Sequence, residues 1–394
     1  MESWNFNTSI CGIMICYKAT RSDRGRIRLD LGPASCGIAI LKAYKAAVAT
    51  GKVGTGRGII YLTNPMPRAR ISGMKKIRTE FDAEELNLVT LAREYSDNDK
   101  ARALLESLRW PDGPVCPHCK CDGKDKAIYK LEPKAGSARP GRKGLYKCGA
   151  CREQFTVTVG TIFEDSHIPI SKWLMAIFIL CSSKKSISAH QLHRMLDMTY
   201  KTAWFMAHRI RYAMGPTMPL GKLLDGTVEV DETFIGGKGD ARTKLSRKTP
   251  VVALIQRDGS MSARVVSNVT QKNILPILQE TVSKDAIINT DESGLYRGKL
   301  KAYKRHDRVN HSKKQYVLRK SDGSKAHVNT CESFFSLLKR GVVGAWHHVS
   351  REHLPKYANE FAFRWDNRKV TDGERAAAAI KATEGKRLTY RQVV

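Results

Sequence analysis

Long apolar runs are missing from this chain. The nearest, Trp173-Leu174-Met175-Ala176-Ile177-Phe178-Ile179-Leu180-Cys181, falls short of the roughly 18 residues that a membrane span needs, so it reads as a core helix and no membrane partner is expected. Acid is also scarce: 38 Asp and Glu stand against 68 Lys and Arg, a formal net charge of +30. That imbalance argues against acidic, solvating roles and favours a polyanionic partner, nucleic acid above all. A basic-then-apolar signal sequence is absent from the N-terminus. The ten cysteines are therefore expected to be reduced thiols and metal ligands of a cytoplasmic protein, not a disulfide framework. The Gly51–Gly58 run fits neither the phosphate-binding loop nor the dinucleotide template and reads as a linker. Dedicated nucleophilic Ser or Tyr motifs are lacking too.

What is present is ordered along 394 residues, 42% of them hydrophobic, enough for two or three modest domains. Residues 1–78 sustain no apolar period and are expected to be a poorly ordered extension. Two short helices are expected within 79–112, separated by the cap-rich Ser96-Asp97-Asn98-Asp99 and ending at Trp110-Pro111. Residues 113–165 open with Cys116-Pro117-His118-Cys119 and carry Cys148-Gly149-Ala150-Cys151. Two thiolate pairs at this spacing suit tetrahedral Zn²⁺, and Phe155-Thr156-Val157-Thr158-Val159-Gly160 alternates like a closing strand, giving a zinc ribbon. Four thiolates leave no open position, so this zinc is expected to be structural. His118 and Cys121 are spare donors nearby.

Residues 166–220 read as a helical block. A short helix, a turn and a basic helix with His208, Arg209 and Arg211 resemble a helix-turn-helix, which would set Arg209 and Arg211 against DNA. A three-helix packing module with a solvated basic face is the other reading. Residues 221–370 begin with Thr227-Val228-Glu229-Val230-Asp231-Glu232-Thr233-Phe234, a period-two strand with Val228 and Val230 inward and Asp231 near its end. A hairpin turning at Asp258-Gly259 follows, then a helix with Pro276 near its first turn, then the strand Ala286–Thr290 ending at Asp291-Glu292. Last comes a helix over 329–340, closed by Gly341, with Glu332 near its start. Residues 371–394 are expected to be a tail.

If the two acid-ended strands are parallel neighbours, Asp231 and Asp291 meet, and the later helix can deliver Glu332. Packed carboxylates resist ionisation unless cations join them. Two divalent ions about 4 Å apart would relieve that repulsion and suit in-line phosphoryl displacement, and oxygen donors favour Mg²⁺ or Mn²⁺. Lys339 lies two helical turns beyond Glu332, on the same side, where it could hold a phosphate. Lys339 and Arg340 could equally serve the helix C-terminus.

The order strand-Asp, hairpin, helix, strand-Asp, helix-Glu resembles the ribonuclease-H-like core of DDE transposases and retroviral integrases. With the paired Cys motifs, Val230–Gly237, Thr290-Asp291-Glu292-Ser293 and His327–Phe335, the chain from about Phe81 to about Arg368 resembles bacterial insertion-sequence transposases with an N-terminal zinc ribbon, the ISXO2-like group. The resemblance implies a multidomain α+β or α/β protein made of a small zinc ribbon, a helix-turn-helix-like block and a ribonuclease-H-like mixed sheet. It implies an enzyme that cuts DNA at terminal inverted repeats and joins the ends to target DNA, as an oligomer at the nucleoid. Asp231, Asp291 and Glu332 would be its catalytic Mg²⁺ ligands, with Asn329 as the alternative third residue. Lys339, Arg340, Arg209 and Arg211 would contact DNA. A zinc-ribbon regulator without catalysis and a nuclease of the same fold are the competing readings.

Overall fold

The computed structural model of the chain describes the strand backbones 3–10, 13–21 and 27–31, residue 83, and residues 86–133, 142–215, 223–236, 248–313 and 315–389. The chain divides into two units, Met1–Arg78 and Thr79–Val394. In the first, β1 (Ser3–Ile10), β2 (Ile13–Arg21) and β3 (Ile27–Leu31) form an antiparallel meander. The sequence reading gave this stretch no element, although Ile13-Met14-Ile15-Cys16-Tyr17 is rich in strand formers. Gly51–Gly58 lies outside the described residues.

In the second unit, α1 (Leu88–Glu94) starts where Asn87 accepts from the Thr90 amide, and α2 (Asn98–Arg109) where Asp97 accepts from those of Asp99 and Lys100. These caps satisfy amides that the first helical turn leaves open. Buried Ala101, Leu104, Leu105 and Leu108 form one stripe of α2. Trp110 follows and meets Tyr146 and Phe155 edge-on at 5.4 and 5.9 Å, so the end of α2 packs on the ribbon. The ribbon is the antiparallel sheet of β4 (Ile128–Leu131), β5 (Leu145–Cys148) and β6 (Gln154–Phe155). The closing strand is shorter than its alternation suggests. After Phe155 the chain turns, with the amides of Val159 and Thr161 bonding back to the carbonyls of Thr156 and Thr158. The helices α3 (Ile170–Ser182), α4 (Ala189–Leu196) and α5 (Tyr200–Ala213) complete this body around buried Trp173, Leu174, Ile177 and Leu180.

A five-stranded mixed sheet comes next: β7 (Thr227–Ile235), β8 (Thr249–Gln256), β9 (Met261–Val265), β10 (Ile287–Thr290) and β11 (Arg305–Arg308), ordered β11-β10-β7-β8-β9. The first three are antiparallel neighbours, while β10 runs parallel to both β7 and β11. Such parallel pairs need a crossover, and α6 (Gln271–Thr281) supplies it, packing Ile274 and Leu278 on Val228, Val230 and Ile288. Pro276 sits mid-helix, not in the first turn. Helices α7 (Asn329–Gly341) and α8 (Leu354–Asp366) cover the other face, where Phe334, Phe335 and Phe361 meet Val251, Ala253 and Ile255. Gly341 does not close α7, which runs on as a π turn through Val342–Trp346. Its role is close approach: a Cβ there would lie 2.6 Å from the Phe361 ring.

The final segment is no tail as far as Thr389. A Thr371/Glu374 capping box opens α9 (Asp372–Lys381), which buries Ala376, Ala377, Ala379 and Ile380 in the ribbon and helix body. Among the described residues, no helix is long and apolar enough to cross a membrane.

Candidate active site

Four thiols converge first. Cys116, Cys119, Cys148 and Cys151 present their sulfurs within 4.8 Å of one another. The Sγ···Sγ distances of 3.7 Å for Cys116–Cys151 and 3.6 Å for Cys119–Cys148 match the edge of a tetrahedron, which is about 3.8 Å for a Zn–S bond of about 2.3 Å. The backbone amide of Cys151, with that of Ala150, stabilises the Cys148 thiolate and brings its pKa down to about 6. A thiolate is the form that binds metal. Cys121 instead donates to the Lys126 carbonyl, so the spare thiol stands outside the set.

The acids gather on the sheet. Asp231 lies in the middle of β7, not near its end, because β8 pairs with β7 all the way to Ile235. On the β10 side, however, pairing stops at Glu229–Asn289. Continuing that register sets Asp291, just past β10, level with Asp231. Asp231 accepts from the Glu232 amide, and Asp291 from that of Ser293. Asp231, Glu232, Thr233, Glu332, Phe335, Ser336, Lys339, Arg340 and Val343 line an open groove of about 640 Å³. Glu332 and Lys339 are exposed on one side of α7, as their spacing implies. Asn329 is absent from the groove's lining; its Oδ1 is buried without a hydrogen-bond partner.

Burial and neighbouring acids together shape the electrostatics. Burial, together with Asp231 and Asp291, pushes the Glu232 carboxyl up to about 8. The buried hydroxyl of Tyr296 donates to the Glu232 carboxylate. Burial also raises the Cys331 thiol on α7 well above its ordinary value, helped by Asp231, Glu229, Glu232 and Glu332 around it.

Glu229 is the residue that sequence reasoning passed over. Alternation put it on an outward face, but both faces of the sheet are covered and it is fully buried. It pairs with Arg257 at 2.8 Å and accepts from the Thr330 amide at 2.9 Å and the Thr330 hydroxyl at 2.8 Å. Val328, at the N-cap position of α7, makes no side-chain cap bond, so a carboxylate from the strand does that work and complements the positive end of the helix dipole. Glu229 thereby ties the helix that carries Glu332 to the strand that carries Asp231. The available signal was a third acid in strict alternation with Asp231.

Two expected DNA contacts fail. Arg209 and Arg211 are 4% and 1% exposed. Arg209 donates to the carbonyls of Leu388 and Glu164, and Arg211 pairs with buried Glu360 at 2.6 Å beneath the Tyr357 ring. The α9 segment and α8 cover the face that the sequence leaves looking solvated. Burial alone would raise the Glu360 carboxyl, but Arg364 and Arg211 outweigh it and hold the group below its ordinary value.

Comparison with known proteins adds an independent line. Residues 223–366 match the family model for the ISXO2-like transposase domain, and residues 96–154 match that for the transposase zinc-ribbon domain. The chain is also 28% identical over 290 residues to an uncharacterized protein in transposable element ISH50 of Halobacterium salinarum, covering 67% of this chain and 90% of that protein.

Proposed function

We propose that this chain, a member of the ISXO2-like transposase group, cleaves DNA at the ends of its own element and joins those ends to target DNA. One observation carries the reading: Asp231 and Glu332 line a single groove with Lys339 and Arg340, and the strand register sets Asp291 beside Asp231. The sheet order, with three antiparallel strands followed by two parallel ones, supports a ribonuclease-H-like catalytic domain.

The donors in the groove suit a hard divalent cation. They are oxygens only, and the Glu232 carboxyl beside them is raised by burial first and then by Asp231 and Asp291. Asp231, Asp291 and Glu332 would hold it. Bound there, Mg²⁺ or Mn²⁺ would offset the acids and polarise the scissile phosphate. Asp231 lines the groove from the sheet, the strand register continues to Asp291 beside it, and Glu332 lines the groove from α7, whose start Glu229 holds. Glu332 is favoured over Asn329 because its charged carboxyl is exposed in the groove, whereas the Asn329 Oδ1 is buried. Lys339 and Arg340 would hold a DNA phosphate at the rim, positioning the backbone without reading its sequence. A water would first free a 3′-hydroxyl at the element end. That hydroxyl would then displace a phosphodiester of the target at the same acids.

The ribbon and helical block would grip double-stranded element ends. Exposed cations there include Lys120, Lys147, Arg152, Lys184, Lys185 and Arg194, whereas Arg209 and Arg211 are buried. Pairing two DNA ends calls for more than one copy of the chain.

The test is joining of element-end DNA to a plasmid with Mg²⁺. Joined products that vanish with EDTA, and in Asp231→Ala and Glu332→Ala, support the reading. Loss in Asn329→Ala alone reassigns the third position. Tight binding without cleavage leaves a regulator, and cleavage without joining leaves a nuclease.

A further inference from the structure

The β7–β10 ladder stops at Glu229–Asn289, two residue positions short of the two aspartates. Beyond that point no backbone pairing between these strands ties the segment carrying Asp291 to the one carrying Asp231. A side-chain link spans the gap. Glu232 follows Asp231 directly, and Tyr296 ends the 3₁₀ turn Gly294–Tyr296 that begins just after Asp291. The Tyr296 ring is fully buried among Val228, Val230, Ile288 and Leu300, and its hydroxyl donates to the Glu232 Oε1. The turn itself is pinned at its start: Asp291 accepts from the Ser293 amide, and the Ser293 hydroxyl accepts from the Leu295 amide. Movement of the Asp291 segment away from β7 would therefore break a part-buried hydrogen bond and leave the hydroxyl of a fully buried tyrosine without this partner, which is unfavourable.

We infer that the Glu232–Tyr296 hydrogen bond is a positioning device that sets the spacing of Asp231 and Asp291 for cation binding. It rests on the proposed metal site, and neither Glu232 nor Tyr296 need touch the cation. What matters is an acceptor oxygen at position 232 and a hydroxyl at position 296, not the charge of Glu232.

The test uses the full chain, zinc-loaded, with Mn²⁺ as probe, read by electron paramagnetic resonance as free against bound ion and in parallel by thermal unfolding. Glu232→Ala and Tyr296→Phe are each expected to raise the Mn²⁺ dissociation constant about tenfold, the equivalent of a lost hydrogen bond of about 1.4 kcal/mol. The double variant should be no worse than either single one, because both remove the same link. Glu232→Gln keeps an acceptor oxygen and should bind Mn²⁺ close to the parent level, a rescue that a general loss of stability would not give. Parent-like binding in both Glu232→Ala and Tyr296→Phe overturns the inference. So does Glu232→Gln binding as poorly as Glu232→Ala, which would make Glu232 a ligand by charge. Asp231→Asn separates the two levels: if it binds Mn²⁺ as the parent does, the metal site itself is wrong.

Discussion

The ribbon and helix body and the sheet body handle charge in opposite ways. In the first, charged or ionisable groups close on one another: four thiols face a common centre, and Arg209 and Arg211 end on carbonyls or on Glu360. At the candidate site of the second, Asp231, Glu332, Lys339 and Arg340 line a groove open to solvent, with both signs of charge on its walls. Closed arrangements are satisfied within the fold and hold it together. The open one is accessible from outside, where a cation and a phosphate would bind. Glu360 stands where the two bodies meet, since its helix packs both on β9 and on α5.

Removing zinc should break the contrast most severely. Structural zinc in small ribbons is worth about 10–16 kcal/mol of binding free energy, and Cys116 and Cys148 are buried in the core of the ribbon and helix body. Chelation, or Cys148→Ser, should abolish cooperative unfolding of that body by circular dichroism while tryptophan-independent Mn²⁺ binding at the groove survives. Persistence of the ribbon's fold without metal would show that packing alone suffices there.

Asp231→Ala should do the reverse. Cleavage of element-end DNA is expected to fall by about 10³-fold, the effect of losing several kcal/mol of stabilisation, with no drop in melting temperature. A fall in stability would mean that Asp231 supports the fold as well as the groove.

Glu360→Gln leaves Arg211 and Arg364 buried without a counter-charge. Breaking one partner of such a cluster costs about 3–5 kcal/mol, to be read from denaturant unfolding. Mn²⁺ affinity at the groove should stay unchanged.

The groove's own charge should appear in the pH dependence of stability. Glu232 has a folded pKa of about 8, raised above that of the unfolded chain, by burial first and then by Asp231 and Asp291. Between those values the folded state holds a proton that the unfolded state has released, so stability falls as pH rises and levels off above about 8. The slope for this group is at most about 1.4 kcal/mol per pH unit. Unfolding of the zinc-loaded protein from pH 5 to 8 without added divalent cation checks it, and Glu232→Gln should flatten the profile. Mn²⁺ should flatten it as well, by stabilising the charged acids.

Lys339→Ala carries the smallest effect. One phosphate contact fewer should reduce the salt dependence of DNA binding by about one unit of slope. Arg209→Ala should leave the slope of binding per folded molecule alone and lower stability. If Arg209→Ala flattens the slope instead, the helical block opens on DNA.

The sequence by itself determined what local spacing can encode. The two Cys pairs could only make one tetrahedral set once a hairpin brought them together. Asp231, Asp291 and Glu332 stood out because alternation and helical period place each at a definable point of its element. Caps at Asp97 and Thr371 and the turn at Asp258-Gly259 follow from side chains a few residues away. Tertiary structure decided what depends on distant covering. Arg209 and Arg211 read as solvated cations until α8 and the segment after α9 enclose them. Glu229 read as outward until α7 covers its face and uses it as a cap, and Tyr296 has no reason to matter until the strand ladder ends beside it. A strand's period fixes on which side a residue lies, but whether that side meets water, a helix end or a partner's hydroxyl is set by segments tens to hundreds of residues away, and no local pattern carries that information.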